Sequence, residues 1–289
     1  MARRLQTKCQ VSLARTARLM GVSRQSIYQY ENRCRQRREA LQPVLEMVLE
    51  VRRSLPRLGT RKLYYLLKPR LQAAGIKLGR DGLFDCLRKH RLLIQPRRSY
   101  TKTTFSKHWM KKYPNLLQEM TITQPEQAFV SDITYVESDE GVHYLSLVTD
   151  ACSRKIMGHE LSWEMKASDV VKALRRAIKQ RRGTAALIHH SDRGLQYCSQ
   201  LYQTELAQHE IQASMTDGYD CYQNALAERM NGILKQEFLI YRCTTFNDLQ
   251  ILVDESIEAY NRLRPHLSLG MKTPEEVHKK TSCKMQLAS

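Results

Sequence analysis

From Thr121 onward the sequence runs through a fixed order of segments: three strand-like runs, then helix, strand, helix, strand, helix. "AFVSDITYV" is rich in β-branched and aromatic residues, and "HYLSLVTDACSRKIMGHEL" reads as two further strands joined around Asp150–Lys155. "SDVVKALRRAIKQRRG" has a helical period, with Ser168 as its expected N-cap and Gly183 past its end. "TAALIHHSD" is the next strand, "SQLYQTELAQHE" a helix, "IQASMT" a short strand, and "ALAERMNGILKQEFL" a long helix. "FNDLQILVDESIEAYNRLRPH" is a further amphipathic helix. That order predicts a mixed sheet with helices on its faces.

The part before Thr121 differs most in charge. Residues 1–106 hold 25 Lys and Arg against 6 Asp and Glu, whereas residues 107–289 hold 22 against 23. The whole net charge of +18 therefore resides in the first third. Such an excess is either a solvated basic face or the footprint of a polyanion binder, most often of nucleic acid. The basic residues alternate with core-like Leu and Tyr, which argues against a membrane-surface tail. No run approaches 18 apolar residues and no apolar h-region opens the chain, so a cytoplasmic protein with no membrane span is expected. The eight cysteines form no C-x-x-C, and Cys86 and His90 lack a second pair, so reduced thiols and no zinc site are expected.

"SLARTARLMGVSRQSIYQYENR" has the helix-turn-helix pattern: a short helix, Gly21 ending it, Ser23 capping a second helix from Arg24. Arg24, Gln25 and Ser26 would then reach base edges or phosphates from the start of the recognition helix. The arginine-rich stretch ending at Pro43 reads as a helix end plus a connection, with a second helical unit from Val44. In that unit Thr60 is expected to cap one helix, and Gly79-Arg80-Asp81 precedes another that ends near Arg88, Lys89 and Arg91. "IQPRRSYTKTTFSKH", with Arg97 and Arg98, reads as a basic linker along DNA backbone. The expected organisation is 1–42 and 43–98 as helical DNA-binding units, 99–122 as linker, 123–241 as catalytic core and 242–289 as helical extension.

Three acids stand at informative places. Asp132 interrupts a strand, where an unpaired carboxylate is costly. Asp192 follows the carboxyl end of a later strand, where α/β folds commonly place ligands. Glu228 lies on the long helix; at about 100° per residue it shares a sector with Asn224, Asn231 and Lys235, opposite Leu226, Met230 and Ile233. A solvated helix face is the plain alternative for that sector. Converging carboxylates repel unless a cation neutralises them, and oxygen ligands suit Mg²⁺ or Mn²⁺. Joined to a basic DNA-binding part, such a site points to phosphodiester chemistry on DNA.

The gaps between Asp132, Asp192 and Glu228 hold 59 and 35 residues. This resembles the D-D-(35)-E arrangement of retroviral-integrase-like transposases. "DITYV", "YLSLVTDACSRKIMGHEL", "IHHSDRGLQYCS", "DCYQNALAERMNGILKQEF" and "AYNRLRPHLSLGMKTPEE", in that order, resemble the OrfB transposases of bacterial insertion sequences of the IS-three type. The resemblance spans about residues 12–278 and is looser over the helical segments. It implies an α/β RNase H-like catalytic core, a mixed five-stranded sheet with flanking helices, preceded by all-α helix-turn-helix units. It implies two Mg²⁺ or Mn²⁺ ions, Asp132 bridging them and Asp192 and Glu228 each holding one. It implies nicking of a transposon end and attack of the freed 3′-OH on a second strand, with double-stranded DNA as partner.

By the same resemblance, Lys235 matches a basic position that contacts the transposon end, with a plain surface lysine as the alternative. His190 shares the side of Asp192, where it either touches substrate or packs; His189 faces the other way. Arg193 and Gln196 are placed for phosphate, and Asn224 and Asn231 for orienting Glu228 or DNA. Asn261, Arg264, Pro265 and His266 match the family's C-terminal motif, read as a structural or DNA-tracking helix end. Asp150 reads as a turn acid rather than a ligand. Phe129 stands where many relatives carry tryptophan, and the His/Cys zinc module of retroviral integrases is absent. Joining two ends implies at least a dimer on DNA, and an upstream-frame product (OrfA) is a possible partner. The competing readings are a DNA-binding regulator on an inactive core, which the intact triad opposes, and a metal-dependent ribonuclease, which the helix-turn-helix units oppose.

Overall fold

The computed structural model describes residues 12–95, 109–118, 120–217 and 224–279. Arg97 and Arg98 lie outside the described residues. Two compact units are present: the residues up to Val51 together with Leu63–Leu93, and Arg52–Lys62 together with the chain from Ile94 onward.

In the helical unit, α1 (Leu13–Leu19) is capped by Ser12, which accepts the Arg15 N–H at 3.3 Å. Gly21 turns the chain at φ +67, a left-handed conformation favouring glycine. Ser23 then caps α2 (Arg24–Ser54) by accepting the Ser26 N–H at 3.1 Å. The expected glycine turn and serine cap are therefore present. The expected helix end at Pro43 is not, because α2 runs unbroken for 31 residues with Pro43 inside it. An interior proline costs about 3 kcal/mol. Val44, Leu45 and Val48 are buried directly after it, at roughly 1.5–3 kcal/mol each, which outweighs that cost. The boundary expected between residues 42 and 43 thus falls within a helix. α3 (Thr60–Ala73) starts on Thr60 itself, and α4 (Arg80–Lys89) has Gly79 at its cap position. Leu63, Leu67, Leu71, Leu83, Cys86 and Leu87 are buried within this unit.

The second unit is built on a five-stranded mixed sheet of order β3-β2-β1-β4-β5. β1 (Ala128–Ser138), β2 (Gly141–Asp150) and β3 (Ile156–Ser162) form an antiparallel meander. β4 (Leu187–Ser191) and β5 (Ile211–Met215) add on in parallel beyond β1. α5 (Ala167–Gln180) crosses β3 and β2, starting at Ala167 with Lys166 at the cap position rather than Ser168. A helical turn (Leu195–Cys198) leads into α6 (Gln200–Gln208), which packs on β5 and α5. The core on this face joins Phe129, Val148, Met157, Leu174, Tyr202 and Ile211.

α7 (Ala225–Ile233) lies across β1 and β2 and continues into a π-helical turn, Leu234–Phe238. Here a smaller core joins Ala128, Val130, Ala151 and Ala227. α8 (Phe246–Leu263) opens with a capping box between Thr245 and Asp248. It covers the edge of β3, where the Asn261 amide donates to the Ile156 carbonyl at 3.0 Å and accepts its N–H at 2.9 Å. An exposed strand edge is thereby paired by a side chain.

Candidate active site

β1 and β4 run side by side in parallel with Val130 opposite His190. Asp132 lies two residues further along β1, and Asp192 directly follows the end of β4. Asp132 is on the face covered by α7, which carries Glu228. The three acids therefore come from the middle of a strand, the end of its parallel neighbour and the helix packed over them. Asp132 records the convergence: burial first, then the Asp192 carboxylate, push its carboxyl up to about 7, and Glu228 adds to the rise. Glu228 is likewise raised, by burial and by Asp192.

Each aspartate is held from its own side. Asp132 accepts the Asn231 amide at 2.8 Å on Oδ2 and the Ile133 N–H at 2.9 Å on Oδ1. Asp192 Oδ1 accepts the Gly194 N–H at 3.0 Å. A side-chain Cβ at Gly194 would stand 3.0 Å from that same oxygen, so glycine gives the carboxylate room. Within the polar sector of α7, Glu228 is exposed while Asn224 and Asn231 are buried against β1, and the Asn224 amide donates to the Ser131 carbonyl at 3.1 Å. Asn231 orients Asp132 rather than Glu228, and neither asparagine is placed to touch DNA. Lys235 lies in the π turn, half-buried, and donates to Thr134 at 3.3 Å; burial lowers its ammonium's pKa.

Of the two readings of His190, the structure takes the packing one. Its ring is fully buried and Nδ1 meets Ser214 Oγ at 2.9 Å, so it is not presented to DNA. His189 points to the opposite face, between Ser131 Oγ at 2.7 Å and the Tyr202 hydroxyl at 2.8 Å. Burial holds it neutral, with its pKa lowered to about 3. Arg193 is half-buried with Asp217 at 3.7 Å, and the Gln196 amide donates to the Met165 carbonyl at 3.0 Å. Arg24, Gln25, Arg88 and Lys89 are exposed, Arg88 beside Asp85, and Ser26 hydrogen-bonds back to Ser23. Asp150 is the expected turn acid, accepting the Ser153 N–H and hydroxyl at 2.6 and 2.7 Å.

The C-terminal motif takes its structural reading. Arg264 is 2% exposed and forms a two-pronged pair with Glu237 at 2.8 and 2.6 Å. Its Nη1 donates to His266 Nε2 at 2.9 Å, which fits a neutral imidazole, and burial lowers that ring to about 3. Sequence reasoning missed two contributors. Tyr197, buried beside the two aspartates, has its phenol pushed well up by burial, with Tyr202, Asp132 and Asp192 adding to the rise. Glu126 gathers the backbone N–H groups of Arg182 and Gly183 near the start of β4. Neither carries a pattern that marks it along the chain.

Asp132, Asp192 and Glu228 offer carboxylate oxygens, a donor type that suits a hard divalent cation. Among the described residues no three His, Cys, Asp or Glu stand close enough to hold one ion.

An integrase core domain family matches residues 122–221, and a second integrase core domain model matches residues 209–274. The uncharacterized 31 kDa protein of insertion element IS600 from Shigella sonnei is 34% identical over 267 residues, covering 91% of this chain and 97% of that protein. Transposase InsF for insertion sequence IS3A of Escherichia coli (strain K12) is 33% identical over 224 residues, covering 74% of this chain and 75% of that one. The chain belongs to the IS3-type insertion-sequence transposases. As an IS3-type transposase it is a polynucleotidyl transferase acting on DNA. Among solved structures, the simian T-cell lymphotropic virus intasome in complex with PP2A regulatory subunit B56 gamma is similar at 18% identity and a TM-score of 0.48, covering 76% of this chain and 70% of that one. No helix among the described residues of this IS3-type transposase is long and apolar enough to cross a membrane.

Proposed function

We propose that Asp132, Asp192 and Glu228 form a D-D-E centre that cleaves transposon ends and joins their 3′-OH to a second DNA strand. The observation that carries this is the coupling of the acids: after burial, the Asp192 carboxylate raises both Asp132, to about 7, and Glu228. Carboxylates that disfavour one another's ionisation are unfavourable unless a cation is bound among them. The residues fit two Mg²⁺ or Mn²⁺ ions, which when bound would activate the attacking oxygen and stabilise the leaving one. Asn231 keeps the Asp132 carboxylate turned to the site, and Gly194 does the same for Asp192. Both steps are in-line displacements needing no covalent protein intermediate.

Around this centre, Lys235 and Arg193 are proposed to contact DNA, and Arg24, Gln25, Ser26, Arg88, Lys89, Arg97 and Arg98 to bind it from the basic N-terminal part. Arg24, Gln25, Arg88 and Lys89 are exposed, which supports that role. Two ends must be joined, so a dimer or larger assembly on DNA is proposed, in the cytoplasm, with an OrfA product as a further partner. The test is strand transfer of labelled element ends with and without Mg²⁺, on wild type and Asp192→Asn. Product is expected only from wild type with the cation; equal behaviour of the two proteins would sink the catalytic reading.

A further inference from the structure

The C-terminal motif explains itself as packing, but the charges around it do not balance. Within the unit that contains the sheet, Lys62, Arg154, Arg229 and Arg264 surround Tyr260 and His266, and Glu237 is the one carboxylate acting on Lys62 and Tyr260. Glu237 is already engaged on both oxygens by Arg264, leaving Lys62 a looser contact at 3.9 Å. Among the described residues that act on Lys62, Tyr260 and His266, cations outnumber carboxylates. Lys62 is largely buried, its side chain 15% exposed. Burial, Arg264 and Arg229 bring its ammonium down to about 8 against the pull of Glu237. Arg264 is sealed beneath, so the groups open to a ligand are Lys62 and Arg229, the latter exposed and next in sequence to Glu228.

We propose that Lys62 and Arg229, backed by Arg154, bind a backbone phosphate of DNA beside the catalytic helix. An anion with several acceptor oxygens supplies the partners that a guanidinium and an ammonium at close quarters require. A phosphodiester of bound DNA supplies them. This rests on the chain acting on DNA, but not on the D-D-E assignment.

The test uses the full chain carrying Asp192→Asn, so that binding is read without turnover. Affinity for a duplex of about 30 base pairs is measured by fluorescence anisotropy between about 50 and 200 mM KCl. Losing one phosphate contact makes the slope of log K against log [KCl] less steep by about 0.9. Lys62→Gln and Arg229→Gln are each expected to reduce the slope by that amount, with Lys179→Gln, an exposed lysine on α5, leaving it unchanged. Arg229→Gln is at the surface and retains the fold if Lys62→Gln does not. An unchanged slope in Arg229→Gln, or an equal change in Lys179→Gln, would overturn the proposal. A second arm labels Lys62 with an amine-reactive acylating reagent at pH 8. Protection by the duplex but not by millimolar inorganic phosphate is expected. Protection by inorganic phosphate alone would make it a free-anion site and refute the DNA assignment. If strand transfer fails in wild type while the slopes respond, the D-D-E reading falls and this one stands.

Discussion

At the scale of single residues, the site depends on side chains that aim the acids as much as on the acids. Asn231 is the clearest case, a buried amide spent on Asp132 Oδ2. Partners of this kind are worth about 10–100-fold in metal affinity or activity. Asn231→Leu is therefore expected to lower strand transfer by about that factor while DNA affinity stays as in wild type. Gel-based strand transfer and anisotropy on the same preparation separate the two effects. A parallel loss of DNA affinity would return Asn231 to the role of a DNA contact.

At the scale of elements, β3 and α5 pack in close apposition. Gly158 makes that approach possible. A Cβ there would stand 2.2 Å from the Ala173 carbonyl and 2.6 Å from the Ala177 N–H, both backbone of α5. Backbone cannot swing away as a side chain can, so Gly158→Ala is expected to destabilise by about 3 kcal/mol, the upper end of overpacking. Urea unfolding would show the midpoint falling with the slope unchanged. The Arg264–Glu237 pair clamps α8 to the π turn in the same way. Arg264→Ala leaves Glu237 facing a cavity and is expected to cost about 3–5 kcal/mol. If it unfolds at the wild-type midpoint, the clamp is not structural.

At the scale of the whole molecule, buried ionisable groups set the acid stability. His189 and His266, with folded pKa values of about 3 against 6.5 unfolded, bind fewer protons folded than unfolded between pH 6.5 and 3. Stability from each is present above 6.5 and lost as pH falls through that window. Glu275, lowered to about 2 by Lys155 and Lys279 against its burial, acts in the same direction below 4.5. Asp132, raised to about 7, runs the opposite way between 7 and 3.8 and offsets one histidine. The expected net result is a melting temperature that falls between pH 6.5 and 4.5, less steeply in His266→Asn. A flat profile across that range would show that these rings are not held neutral. Mg²⁺ removes the Asp132 offset by holding its carboxylate ionised, so the acid loss is expected to steepen when the cation is present.

The order of strands and helices and the basic N-terminal third were legible in the chain, and Asp132, Asp192 and Glu228 were singled out by their spacing. Each rests on local periodicity or on spacing along the sequence, which a linear reading can follow. The helix through Pro43 was not legible, because the burial of Val44, Leu45 and Val48 that offsets the proline arises only on folding. The partners of the asparagines on α7 were not legible for a related reason. An asparagine reads as polar and exposed until a backbone carbonyl and a carboxylate on β1 supply its hydrogen bonds. His190 likewise looked available until Ser214 and full burial claimed it. The sequence by itself determined which residue types the chemistry has and in what order. Only the tertiary structure decided which of them face the site, because a polar side chain's place depends on partners that folding brings from elsewhere in the chain.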